Sequence, residues 1–276
     1  MKNQSTKLRN TRTISKENFA TAMVLGLKNV FALFVLFVAL VGCNNESAPD
    51  CLQNSGDLVS EEVLVADFDK ITVFENVSLV LKQGDEQKVE VETGEFLYDE
   101  VSIEVKEGRL LLRDTNNCNY FRDYGLTTIY VTSPNITEIR SSTGWGIESD
   151  GVLAYDNLSL ISESFINPES ETTDGEYNLQ LNSQSLSVVV NGIAYFQLSG
   201  TVENLSLNIA AGDSRIEADK LTAQNVSVNH RGSNDMFVNP QASIRGAIRS
   251  TGNVISKNRP DIIEVQEIYK GRLRFE

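Results

Sequence analysis

The chain alternates. From Val63 onward apolar side chains recur at every second position, as in "VLVADFDKITVFENVSLVLKQGDEQKVEVETG", and turn residues separate runs of Val, Ile, Leu and Phe. A period of two sets one side of an extended segment against a core and the other in water, which predicts β-strands. Gln83-Gly84-Asp85 and Glu107-Gly108 predict tight turns, the second joining "VSIEV" to "RLLLRD" as a hairpin. No stretch sustains a period of 3.6, so almost no helix is expected.

Beyond about residue 126 the segments repeat: "NLSLISES" at 157–164, "SLSVVVNG" at 185–192, "NLSLNIAAG" at 204–212, "NVSVNHRGS" at 225–233 and "IRGAIRSTG" at 244–252. After a first step of 28 the spacing is close to 20, the mark of stacked β-units. Leu205, Leu207, Ile209, Val226 and Val228 fall at inward positions, and Gly, Asn, Asp and Ser at corners. The expected fold is all-β: a parallel β-helix or β-solenoid over 126–276, continuous with an N-terminal section of alternating strands and hairpins over 51–125. An antiparallel β-sandwich also gives short strands at regular spacing and is the alternative.

The first 50 residues read as an address. Residues 1–22 are polar and basic, and "VFALFVLFVALVG", Val30 to Gly42, is uncharged. Thirteen residues are too few for a membrane span of about 20 but suit the core of a secretory signal. Leu40-Val41-Gly42-Cys43 has the form of a lipobox. It predicts a lipoprotein signal over 1–42, lipidation of Cys43 and a polar tether over 43–50. Two buried acyl chains hold a protein to a membrane where one is marginal. Met23 begins a complete signal of this kind and is a second candidate start.

With Cys43 lipidated, Cys51 and Cys118 remain. Outside the cytoplasm a disulfide is permitted, and two thiols are too few for a structural zinc site. A Cys51–Cys118 disulfide is expected; two buried free thiols are the alternative. The net charge of −14 also changes the picture. Residues 1–42 hold six of the Lys/Arg and one acid, so the rest of the chain carries 18 basic and 37 acidic residues. Nucleic-acid binding needs clustered Lys/Arg and is not expected on such a surface.

One set of segments carries a family resemblance. A lipobox Cys and an early second Cys precede "FDKITV" at 68–73, "VSLVLKQG" at 77–84, "GRLLL" at 108–112 and "IYVTSPNITEIRSSTG" at 129–144, followed by the repeats. This layout resembles the auto-transporter adhesin head GIN domain family of secreted and lipid-anchored bacterial proteins, over roughly residues 63–255. The resemblance implies a β-solenoid at the cell envelope more firmly than it implies an activity. The recurring Ser-Gly corners of that family are partly replaced here by "SES", "VNGIA" and "NHRGS".

Candidate chemistry is sparse. No Gly-rich phosphate loop opens a helix. His230 stands alone and is expected at an exposed corner. Asp150, Asp156, Asp174, Asp213, Asp219 and Asp235 are corner acids, none paired by spacing for glycoside hydrolysis. "ESDG" at 148–151 and "TTDGE" at 172–176 match no EF-hand loop, so no cofactor is expected beyond weak Ca²⁺ binding. Trp145, the only tryptophan, sits between two glycines as a candidate ligand contact or as packing at one end. The sequons at Asn76, Asn135, Asn157, Asn204 and Asn225 read as turn Asn followed by a strand residue, since a lipobox points to bacteria. The expectation is an envelope protein of the outer membrane, lipid-anchored, non-enzymatic, binding a glycan or an envelope protein. The competing reading is a polysaccharide-active enzyme on the same scaffold, favoured if acids, or an acid and Lys/Arg, converge in one groove.

Overall fold

The computed structural model describes residues 50–276 apart from Phe121, Asn167 and Pro168. The signal, Met23, Cys43 and tether residues 44–49 lie outside the described residues.

The described residues are all-β, with two short 3-10 turns, Asp50–Leu52 and Glu95–Glu100. The N-terminal strands are β1 (Leu58–Val63), β2 (Lys70–Val73), β3 (Val77–Gln83), β4 (Lys88–Gly94), β5 (Val101–Lys106) and β6 (Arg109–Asp114). Then come β7 (Thr127–Ser133), β8 (Glu138–Ser141), β9 (Gly146–Leu153) and β10 (Asn157–Ser162). Four longer strands follow: β11 (Glu176–Gly192), β12 (Tyr195–Gly212), β13 (Arg215–His230) and β14 (Met236–Ile248). The chain ends in β15 (Val254–Ser256), β16 (Ile262–Glu267) and β17 (Leu273–Phe275).

The alternation explains the strands. In β11 the first eight residues alternate strictly between exposed and buried, and the buried set holds Tyr177, Leu179 and Leu181. The long strands pair in parallel and in register with the repeat. Asn157 faces Ser185, Ser185 faces Asn204, Asn204 faces Asn225 and Asn225 faces Ser243. Their N-terminal halves form one ladder, which β9 and β15 continue, and their C-terminal halves another, which β10 and β16 continue. Because each long strand runs through both ladders, the strands form one mixed sheet that nearly closes on itself around the core.

The pairings β4–β1, β4–β7 and β5–β6 are antiparallel, and every pairing among β8 to β17 is parallel. An antiparallel sandwich therefore does not describe the repetitive section. The expected hairpin is β5–β6, with Glu107 at φ 52° and Gly108 at φ 73° as the turn that two positive φ values define. Chain order and spatial order part company at the start of the stack. The β2–β3 pair lies between β6–β7 on one side and β8–β9 on the other.

The core runs the length of the stack. Ile147, Tyr177, Phe196, Ile216 and Met236 occupy one inward row, each fully buried and in register with the next. Tyr177 and Phe196 stack at 4.5 Å with their planes 8° apart, and the Tyr177 hydroxyl donates to the Ile161 carbonyl at 2.9 Å. The disulfide joins Cys51 to Cys118 with 4.5 Å between Cα atoms.

Candidate functional site

The repeat that stacks Leu158, Leu186, Leu205, Val226 and Ile244 inward turns their neighbours outward. Two parallel rows result on the face of the second ladder: Asn157, Ser185, Asn204, Asn225 and Ser243, and beside them Ser159, Ser187, Ser206, Ser227 and Arg245. Small side chains in both rows leave a long groove of about 460 Å³. Its lining contains no acid, and Arg245 is its one charged residue.

Strand spacing of about 4.8 Å puts like residues within reach of one another. Asn225 Nδ2 donates to Asn204 Oδ1 at 3.2 Å, Ser243 Oγ to Asn225 Oδ1 at 2.9 Å, and Arg245 Nη1 to Ser243 Oγ at 2.8 Å. A parallel wire lies further along the strands, where Asn229 Nδ2 donates to Asn208 Oδ1 at 2.7 Å and Arg249 Nε to Asn229 Oδ1 at 3.2 Å. The hydroxyls of Ser159, Ser187, Ser206 and Ser227 have no side-chain partner among the described residues, which leaves them to a ligand or to water. Asn204 and Asn225 are thus strand residues in a ladder, not turn residues as the sequence suggested; Asn76, at φ 64°, is the turn residue.

The corner acids do not assemble. Asp150 pairs with Lys82 at 2.7 Å on the surface, Asp213 accepts from Ser233 Oγ at 2.6 Å, and Asp235 accepts from the Asn253 backbone and amide at 2.9 Å each. Asp174 sits against Gly144, and Asp156 lines a second, polar groove with Glu203 at the bend of the long strands. Asp219 approaches Lys257 at 4.0 Å in a depression shared with Glu217, Lys220 and Glu276. Acids and a lysine also meet where Glu62, Asp67, Glu86 and Lys88 line another groove, with Lys88 held by Glu62 at 3.3 Å and by Glu90 at 2.9 Å. Glu217, however, takes hydrogen bonds from the Tyr195 hydroxyl at 2.7 Å and from Arg215 Nε at 2.7 Å. These hold its carboxyl below the usual range, which suits an ionised base or nucleophile and not the general acid that glycoside hydrolysis also needs. Among the described residues no three of His, Cys, Asp or Glu come together to hold a metal.

Two sequence readings are corrected or sharpened. His230 is not exposed: it is fully buried. Its parity with Val226 and Val228 sends it inward, and the polar residues around it mark the turn that follows. Trp145 is half-buried, its ring packed on Gly125, where a Cβ would come within 2.6 Å of it. It lines neither groove.

The sequence matches the family described as "Putative auto-transporter adhesin, head GIN domain" over residues 67–260. The chain belongs to this family. No curated protein matches it. Among solved structures it is similar to a protein of Bacteroides fragilis described as a putative adhesin, at TM-score 0.68 and 21% identity, covering 81% of this chain and 99% of that one. It is also similar to a Parabacteroides distasonis protein described as a putative lipid binding protein, at TM-score 0.56 and 18% identity, over 80% and 97% of the two chains. A putative adhesin of Parabacteroides merdae matches at TM-score 0.56 and 16% identity, over 80% and 97%. At such identities the likeness is one of fold. Among the described residues no helix is long and apolar enough to cross a membrane.

Proposed function

We propose that this chain is a non-catalytic adhesion module of the bacterial cell envelope. Cys43 carries the lipid, residues 44–50 are the tether, and the stack is a parallel β-helix whose side face contacts a neutral glycan or an envelope protein. The observation that carries the reading is the acid-free groove on a chain of net charge −14. On so acidic a protein, 15 lining residues without a carboxylate form a surface that does not repel an extended, uncharged or weakly anionic polymer. Rows of hydroxyls and amides at strand spacing offer such a polymer the same contact again and again. Membership of an adhesin family and likeness to proteins described as adhesins support the non-enzymatic reading.

The test is a glycan array read beside reducing-sugar release on the same ligands. Binding without release is expected. Ser206→Arg, on an exposed position in the middle of the groove, should lower binding at least tenfold with the fold intact by circular dichroism. Sugar release, or binding indifferent to this change, would refute the reading.

A further inference from the structure

Among the described residues β16 pairs only with β14, and β17 only with β15, so the β16–β17 turn presents two strand edges. It also presents the end of the core. Ile263 continues the row of Ile244, and Leu273 that of Val254. Ile244 and Val254 are fully buried; Ile263 is 37% exposed, and Val265, Leu273 and Phe275 are only half-buried. Ile262, Ile268 and Tyr269 lie exposed beside them. The other end differs. There the 3-10 turn Glu95–Glu100 links β4 to β5 with Leu97 buried beneath it, and the outermost strands β1 and β5 carry Glu61, Glu62, Glu104 and Lys106. Among the described residues no element crosses the β16–β17 end.

Charge says what fits. β16 carries Glu264 and Glu267 and no Lys or Arg, whereas residues 268–275 carry Lys270, Arg272 and Arg274 and no acid. β16 against a second β16 would repel, and so would β17 against β17. β16 against β17 attracts. A two-fold axis along the strands, between the two ladders, makes that match twice at once, as a self-complementary interface requires. Each turn of the chain closes on itself, so the two ladders run in opposite senses and this pairing is antiparallel.

We propose that the β16–β17 end is a self-association surface on which a second copy of this chain docks tail to tail, β16 of each copy antiparallel to β17 of the other. One register satisfies both faces. Ile263 lies opposite Phe275 of the other copy and Val265 opposite Leu273, continuing the core. On the outer face Glu264 lies opposite Arg274 and Gln266 opposite Arg272. The pairs that Glu264 and Glu267 make within the chain, to Arg245 at 3.1 Å and Arg272 at 3.4 Å, are solvent-exposed and weak enough to exchange, and Glu267 must also give up the Leu273 N–H, from which it accepts at 2.8 Å, to Val265 of the other copy.

The experiment is sedimentation equilibrium of the full chain in detergent, with micelles in large excess. A dimer is expected. Glu264→Arg alone and Arg274→Glu alone should each weaken it about tenfold, because each sets like charges opposite one another twice. An equal mixture of the two variants should recover the affinity, since both contacts are then between opposite charges. Circular dichroism checks that each variant folds. Gln266→Arg, on an exposed position opposite Arg272, gives an independent loss. A monomer up to about 100 μM, a dimer indifferent to the swaps, or a mixture as weak as its parts would overturn the proposal.

Discussion

His230 is held in one protonation state by its two neighbours. Nε2 lies 2.9 Å from the Asn234 carbonyl and must donate to it, while Nδ1 accepts from the Gly232 backbone N–H at 3.4 Å. The neutral ring satisfies both contacts, and a second proton would break one. Burial, outweighing the Asn234 carbonyl and nearby Asp235, lowers its pKa from the ordinary 6.5. Below pH 6.5 the unfolded chain therefore binds a proton that the folded chain refuses, so this contribution to stability is present above that pH and lost as pH falls. The unfolding midpoint should drop between pH 7.5 and 5.5, and His230→Gln should flatten that slope. Arg140 and Glu163 form a buried ion pair, at 2.8 Å. Burial disfavours the Glu163 charge, but Arg140 and the backbone N–H groups of Ile166 and Phe165 more than offset it and hold the carboxyl below its usual range. Removing one partner of such a pair costs about 3–5 kcal/mol. Arg140→Ala should therefore lower urea-unfolding stability by that order, far more than Lys82→Ala at the exposed pair with Asp150.

At the scale of elements the sequence was legible where a strand carries its own pattern. The alternation located the β5–β6 hairpin and its positive-φ turn. The repeated triplets of a polar residue, Leu or Val, and Ser, at 157, 185, 204 and 225, marked strands that pair in register. The same triplets hid the role of Asn204 and Asn225. An Asn before an apolar residue reads as a turn when one strand is considered alone, and as a ladder only when its neighbours stand at the same height. Cys51 and Cys118 fix the entry of the chain against the loop after β6, where the Cys51 carbonyl also accepts from the Tyr120 N–H at 3.1 Å. The bridge spans 67 residues. Losing a closure of that length costs about 4 kcal/mol on a chain-entropy account. The double variant Cys51→Ser, Cys118→Ser should show a deficit of that order in denaturant unfolding against the oxidised protein.

For the whole molecule, the proposed lipid on Cys43 has a direct test. On that proposal, replacing Cys43 by Ser should move the chain from the membrane to the soluble fraction of cells, which fractionation and blotting will show. Spatial order was the part the sequence did not reveal. Each strand's apolar parity tells which side faces the core, but no residue in β2 or β3 records which strands stand above and below.

That order has a bearing on how the chain is made. The chain is made N-terminus first, and β2–β3 comes early, yet one of its two flanks is built from β8–β9, which end 70 residues after β3 does, at Leu153. Until then the pair has an open flank, and the later repeats, which stack on β9 and β10, have nothing to add to. The chain therefore extends the stack first on one side of β2–β3, with β6–β7, and then on the other, with β8–β9. A nascent chain stalled before residue 138 should remain protease-sensitive throughout, and one released past residue 153 should acquire resistance abruptly over β1–β9.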